Sequence, residues 1–159
     1  MCTDHDVDNN TETDDPRSGY KLVSSWPKYP ADMHFEMGSG IAVDEAGIIY
    51  AFTRDIEHWA THPLAMADKM GKSSISMFNR EGEYLGIWGP SGERGFALGG
   101  HTLYIEKDGM FWTTDRDGHT VKKYTPDGEL LLTLGTFGEW GCDASHFNGP
   151  TAVVVQLDG

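Results

Sequence analysis

Basic residues are scarce in this chain. Against 25 Asp and Glu stand 12 Lys and Arg, giving a formal net charge of −13 over 159 residues. That balance argues against nucleic acid and against an anionic membrane as partners, since both need basic surface to displace counterions. A cationic partner or a metal ion fits it better. Cysteine is nearly absent too: Cys2 and Cys142 give no disulfide framework and leave the redox compartment open. No run of 18 apolar residues occurs, so no transmembrane helix is read. The first 16 residues lack the basic-then-apolar pattern of a secretory signal, and the compartment stays unassigned. What the sequence does contain is 20 glycines and 38% hydrophobic residues, ample material for a core and a composition that suits an all-β protein with Gly-rich turns.

Residues 1–18 carry Asp4, Asp6, Asp8, Glu12, Asp14 and Asp15 ahead of the first basic residue, Arg17, and read as a disordered acidic tail. Alternating oxygens in Asp4-His5-Asp6-Val7-Asp8 would suit a hard cation, but the Gly and Glu of an EF-hand loop are missing, so the solvated tail is the simpler reading. Residues 19–39, with Pro27 and Pro30, form an extended lead-in. From Gly40 onward the sequence repeats.

The stretch Gly99 to Gly135 holds one whole repeat: β-rich runs at Thr102–Ile105, Met110–Thr114, Thr120–Thr125 and Glu129–Leu134, separated by polar turns that include Pro126-Asp127-Gly128. Four short strands with tight turns predict one antiparallel sheet. Phe78 to Leu85 lies over Tyr124 to Leu131 at an offset of 46, a period typical of a β-propeller blade. The opening hairpin recurs as Gly40–Gly47, Gly100–Gly109 and Pro150–Gly159, the third copy stopping at its turn. About two and a half blades are expected over residues 40–159, with two unpaired sheet edges.

From Gly47 to Gly82 there are 35 positions against 19 from Gly109 to Gly128, which places an insertion of 16 within residues 55–72. His58 and His62 in it are four apart, as metal-binding imidazoles on a helix are, but Trp59 and Pro63 do not suit a zinc helix; an aromatic rim or lid loop is the plainer reading. Residues 136–149 contain Cys142, Asp143 and His146, which are metal-ligand types without a second cluster, and an inter-blade loop is again the simpler account.

Three segments carry a resemblance to a known family: Gly40-Ile41-Ala42-Val43-Asp44 leading to Phe52-Thr53-Arg54, Gly100-His101-Thr102-Leu103 leading to Phe111-Trp112-Thr113-Thr114-Asp115, and His146-Phe147-Asn148-Gly149-Pro150-Thr151. From about Tyr20 onward the chain resembles NHL-type six-bladed β-propellers, and within them the peptidyl-α-hydroxyglycine α-amidating lyases and their bacterial relatives. The resemblance implies His101 as a zinc ligand at the mouth of the central channel and Arg54 as the active-site arginine. It also implies the backbone carbonyls of Ile41 and Leu103 as ligands of a structural calcium. The family reads Pro-His-Gly where this chain has Gly100-His101-Thr102, and its other two zinc histidines and its tyrosine belong to later blades.

The resulting expectation is the N-terminal portion of a metal-dependent lyase that cleaves a carbinolamide to an amide and glyoxylate, inactive on these blades alone. Its partners would be a small-molecule or peptide substrate, with self-association through open sheet edges. The alternative is a non-catalytic NHL propeller segment that binds a protein, peptide or carbohydrate on its loop face. A calcium lactonase propeller would use Glu, Asn and Asp ligands, which Arg54 and His101 do not suggest.

Overall fold

Short runs rich in aromatic and branched residues between glycine-bearing turns produce the strands. A computed structural model describes residues 19, 21, 23–31, 37–54, 73–90 and 97–156. The acidic stretch 1–18, the insertion 55–72 with His58 and His62, and residues 157–159 lie outside the described residues. Eight strands follow in chain order: β1 (Met37–Val43), β2 (Ile49–Arg54), β3 (Ser74–Phe78), β4 (Tyr84–Trp88), β5 (Gly100–Ile105), β6 (Phe111–Asp115), β7 (Thr120–Tyr124) and β8 (Leu130–Leu134). They form two four-stranded antiparallel meanders, β1-β2-β3-β4 and β5-β6-β7-β8. The fold is all-β, and each sheet is one blade. Among the described residues no helix is long and apolar enough to cross a membrane.

Four hairpin turns share one construction. The N–H of the closing glycine donates to the carbonyl three residues back: Gly47 to Asp44, Gly82 to Asn79, Gly109 to Glu106 and Gly128 to Thr125, each at 3.0 Å. All four glycines have φ between +80° and +87°, a left-handed conformation that costs an L side chain energy and glycine almost none. The turn sets the register of the strands on either side.

Register refines the repeat. Val43 opposes Ile49 as Ile105 opposes Phe111, so the inner hairpins of the two blades correspond at an offset of 62. The outer strands keep 46, since Ile49 opposes Phe78 as Phe111 opposes Tyr124. The difference is the insertion. On this register Gly100 corresponds to Gly38, and Gly40 corresponds to Thr102, which corrects the alignment of Gly40 with Gly100. The blade opens at Met37, three residues before Gly40. Both inner strands are irregular at this point, between Gly38 and Gly40 and between Gly100 and Leu103, so matching glycines alone misplaces the register.

The core lies between the blades. Tyr50, Phe52, Ile75 and Trp88 of the first sheet meet Leu103, Phe111 and Tyr124 of the second. Trp88 stacks on Phe111 at 4.0 Å, meets Tyr124 edge-on at 5.7 Å, and donates its indole N–H to the Pro126 carbonyl at 2.6 Å. Phe52 packs so closely on Gly100 that a Cβ there would enter its ring. Trp26 and Tyr29 of the lead-in pack on Phe78 at the outer side of the first blade.

The third copy of the opening hairpin does not form a strand among the described residues. Residues 151–156 carry no ladder to any described strand. The segment meets the second blade where the Thr102 hydroxyl donates to the Thr151 carbonyl at 2.6 Å.

Candidate functional site

Arg54 is the last residue of β2, and its side chain crosses to the second blade. Its Nε–H donates to the Gly100 carbonyl at 2.5 Å, and the residue is only 6% exposed. Burial lowers its pKa from the usual arginine value; Asp117 opposes that, Arg116 adds to it, and Asp115 opposes it. A guanidinium remains a cation through such a shift. Arg54 therefore brings a buried positive charge to the start of β5, one residue from His101.

His101 sits in the irregular stretch of β5. That stretch is held by the Thr102 N–H donating to the Thr114 hydroxyl at 2.9 Å. Bulges of this kind redirect a side chain out of the regular alternation. The Nδ1 of His101 is buried and has no hydrogen-bond partner among the described residues. An unpaired buried ring nitrogen costs free energy unless a ligand or proton partner engages it.

Ile41 and Leu103 occupy corresponding positions of the two inner strands, opposite Ala51 and Thr113. The strands run close together: a Cβ on Gly40 would lie 3.0 Å from the Leu103 N and 3.3 Å from the His101 carbonyl oxygen. Leu103 is 5% exposed and Ile41 64%, because the first blade covers one and nothing among the described residues covers the other.

The implied metals can be tested against these donors. His101 suits one ligand position. A catalytic zinc takes about three protein ligands, and among the described residues no group of three or more His, Cys, Asp or Glu gathers as a metal site. The described residues of these two blades alone do not fit a zinc ion.

One site residue had no role assigned from sequence. Asp115 is 2% exposed and ends β6, with its carboxylate accepting the N–H groups of Leu98 at 3.0 Å, Gly99 at 2.8 Å and Gly118 at 2.9 Å. The pattern Asp-x-x-Gly at a strand end was the available signal, since a short carboxylate there can cap its own turn. Asp117 closes on Gly99 from the other side and pairs with Arg116 at 2.9 Å.

The loop 136–149 is a separate structure. His146 Nδ1 faces both Asp143 oxygens at 2.9 and 3.0 Å, and its Nε2 lies 3.5 Å from Glu139. Cys142 is exposed and free. The Gly149 N–H donates to His119 Nδ1 at 3.1 Å and ties the end of this loop to the second blade.

Comparison with curated proteins finds relatives along most of this length. NHL repeat-containing protein 3 of Homo sapiens is 29% identical over 150 residues, 88% of this chain and 38% of that protein. Probable peptidyl-alpha-hydroxyglycine alpha-amidating lyase pgal-1 of Caenorhabditis elegans is 29% identical over 129 residues, 76% of this chain and 36% of that one. The chain has an NHL-like fold and resembles the amidating lyases. Peptidyl-alpha-hydroxyglycine alpha-amidating lyase 2 of Drosophila melanogaster is a further relative, 25% identical over 87% of this NHL-like chain and 35% of its own length. The chain thus spans less than two fifths of these relatives. No family model matches. Among solved structures, virginiamycin B lyase from Staphylococcus aureus aligns with a TM-score of 0.41 at 18% identity, over 67% of this chain and 29% of that one.

Proposed function

We propose that these two blades supply part of a carbinolamide-cleaving lyase site, with Arg54 receiving the carboxylate of a peptidyl-α-hydroxyglycine. The observation that carries the reading is the Arg54 to Gly100 hydrogen bond, which sets a buried cation beside His101 at the blade junction. Relatives named as lyases, at 25 to 29% identity, support the reaction class.

In this reaction the substrate's α-carbon–nitrogen bond breaks while its hydroxyl loses a proton, leaving an amide and glyoxylate. The substrate carries a carboxylate next to the reacting carbon. A guanidinium offers that group a planar, charge-matched donor set and also stabilises negative charge that grows on nearby oxygen. Arg54 is held by Gly100 before substrate arrives, so little reorganisation is needed on binding. Zinc and calcium belong to this reading as implied ions, with His101 as one zinc ligand and the carbonyls of Ile41 and Leu103 as calcium ligands; the remaining zinc ligands would come from outside the described residues.

A binding comparison tests the role of Arg54 without requiring turnover. A peptide ending in a glycine carboxylate and the same peptide as its amide are titrated into the purified chain. The acid is expected to bind about tenfold or more tightly than the amide, the worth of one charge-assisted hydrogen bond, and Arg54→Lys is expected to remove that preference. Equal affinity for both peptides would overturn the lyase reading and favour an NHL segment that binds peptide without chemistry, as the match to NHL repeat-containing protein 3 allows.

A further inference from the structure

Every polar group of the Gly99–Gly100 turn is engaged, and the engagements come from both blades. The Gly99 N–H donates to Asp115 at 2.8 Å, and the Gly99 carbonyl accepts the Arg116 N–H at 2.9 Å. From the first blade, the Ser73 hydroxyl accepts the Gly100 N–H at 3.4 Å, and the Gly100 carbonyl accepts Arg54 Nε–H at 2.5 Å. Neither glycine has room for a Cβ, since Asp117 closes on Gly99 and the Phe52 ring on Gly100. The turn is a fixed plate with Arg54 bolted to one side and His101 following on the other.

What fixes the plate is Asp115. One of its oxygens accepts Gly99 and Gly118, and the other accepts Leu98. Three backbone donors spread over both oxygens hold a buried carboxylate in one orientation, and such charge-assisted bonds are about twice as strong as neutral ones. Through Leu98 and Gly99 that order reaches the Gly100 carbonyl and hence the plane of the Arg54 guanidinium.

We propose that Asp115 is a positioning residue for Arg54: by clamping the Leu98–Gly99 backbone it sets the Gly100 carbonyl that orients the guanidinium toward a substrate carboxylate. The clamp itself stands on this geometry. Its functional consequence rests on the lyase reading above.

The experiment uses the full chain with Asp115→Asn. The amide keeps the shape and one acceptor oxygen, but its NH2 group takes the place of the other and cannot accept the backbone N–H that faces it. Hydrogen exchange of the Arg54 Nε–H, followed by NMR, is the direct readout, and it is expected to accelerate roughly tenfold or more, as the loss of one bond to a charged group predicts. The same variant is expected to lose the preference for the glycine acid over its amide. Unchanged exchange at Arg54 in a folded Asp115→Asn chain would overturn the proposal. Should Asp115→Asn not fold, Asp115→Glu serves, because it retains the charge and displaces the carboxylate; the same acceleration supports the clamp and its absence overturns it. A further outcome separates the two readings. If Arg54 exchange accelerates while the wild-type chain shows no preference for the acid, the clamp stands and the lyase reading fails.

Discussion

His146 shows how much one residue of this chain depends on its partners. The Asp143 hydrogen bond raises its pKa above the ordinary 6.5, desolvation works the other way, and the charges of Asp143 and Glu139 add to the rise. Asp143 in turn lies below its usual value through the Ser145 backbone N–H first and His146 second. A histidine with a raised folded pKa contributes stability that is present below its unfolded value and lost as pH rises through the folded one. A carboxylate with a lowered pKa contributes above its unfolded value and loses that contribution as pH falls through the folded one. The pair is therefore fully charged only between the lowered Asp143 value and the raised His146 value, and the 136–149 loop loosens above that window. An NMR titration of the His146 ring is expected to give a midpoint above 6.5, and Asp143→Asn is expected to bring it back down toward that value. A midpoint that ignores Asp143→Asn would mean the contact does not hold in solution.

At the same scale, Arg54 and His101 were singled out in sequence only through the family resemblance, and the structure sets the two near each other across the blade junction. Asp115 was given no role. A carboxylate that caps its own turn looks in sequence like any polar turn residue, and only the three converging N–H groups reveal its work. Carbonyl contributions such as those implied for Ile41 and Leu103 leave no mark in side-chain identity at all.

Among elements, the strands were the easiest to read, since glycine at the fourth turn position punctuates four of the hairpins and aromatic or branched residues are frequent between. Six of the eight observed strands lie within about a residue at each end of the runs and blade correspondence drawn from sequence; the two inner strands began earlier. The inner register was the difficult part. Glycines at 38, 40 and 100 compete as equivalent positions, and the bulges in β1 and β5 decide among them by backbone geometry that composition does not encode. Trp88, the last residue of β4, is the element-scale test of the blade interface. It stacks on Phe111, meets Tyr124 edge-on and bonds Pro126, so Trp88→Ala removes an aromatic pair, a hydrogen bond and a large buried volume together. The expected cost is about 3–5 kcal/mol in denaturant unfolding. A loss below about 1 kcal/mol would mean that the blades are not held face to face by this contact.

Over the whole molecule, two opposing terms bear on whether copies of the chain associate. Apolar side chains are exposed on the inner edge of the first blade, at Ile41 and Val43, and on β8 at Leu130, Leu131, Leu132 and Leu134. Such surface favours association, and edges of β1 and β8 that have no ladder partner among the described residues could accept one. The net charge of −13 opposes it, since every copy repels every other. Salt decides between them. The screening length falls from about 30 Å at 0.01 M to about 8 Å at 0.15 M, so repulsion fades while the apolar term is kept or strengthened. Sedimentation velocity is expected to find monomer at low ionic strength and larger species as salt rises, with Ile41→Asp shifting the onset to higher salt. Ile41→Asp adds charge and removes apolar surface together, so the neutral Ile41→Thr, run beside it, gives the local apolar contribution alone. If the sedimentation coefficient is independent of salt, or Ile41→Asp leaves the onset where it was, these faces do not join copies of the chain, and the exposed leucines and valines carry no self-association.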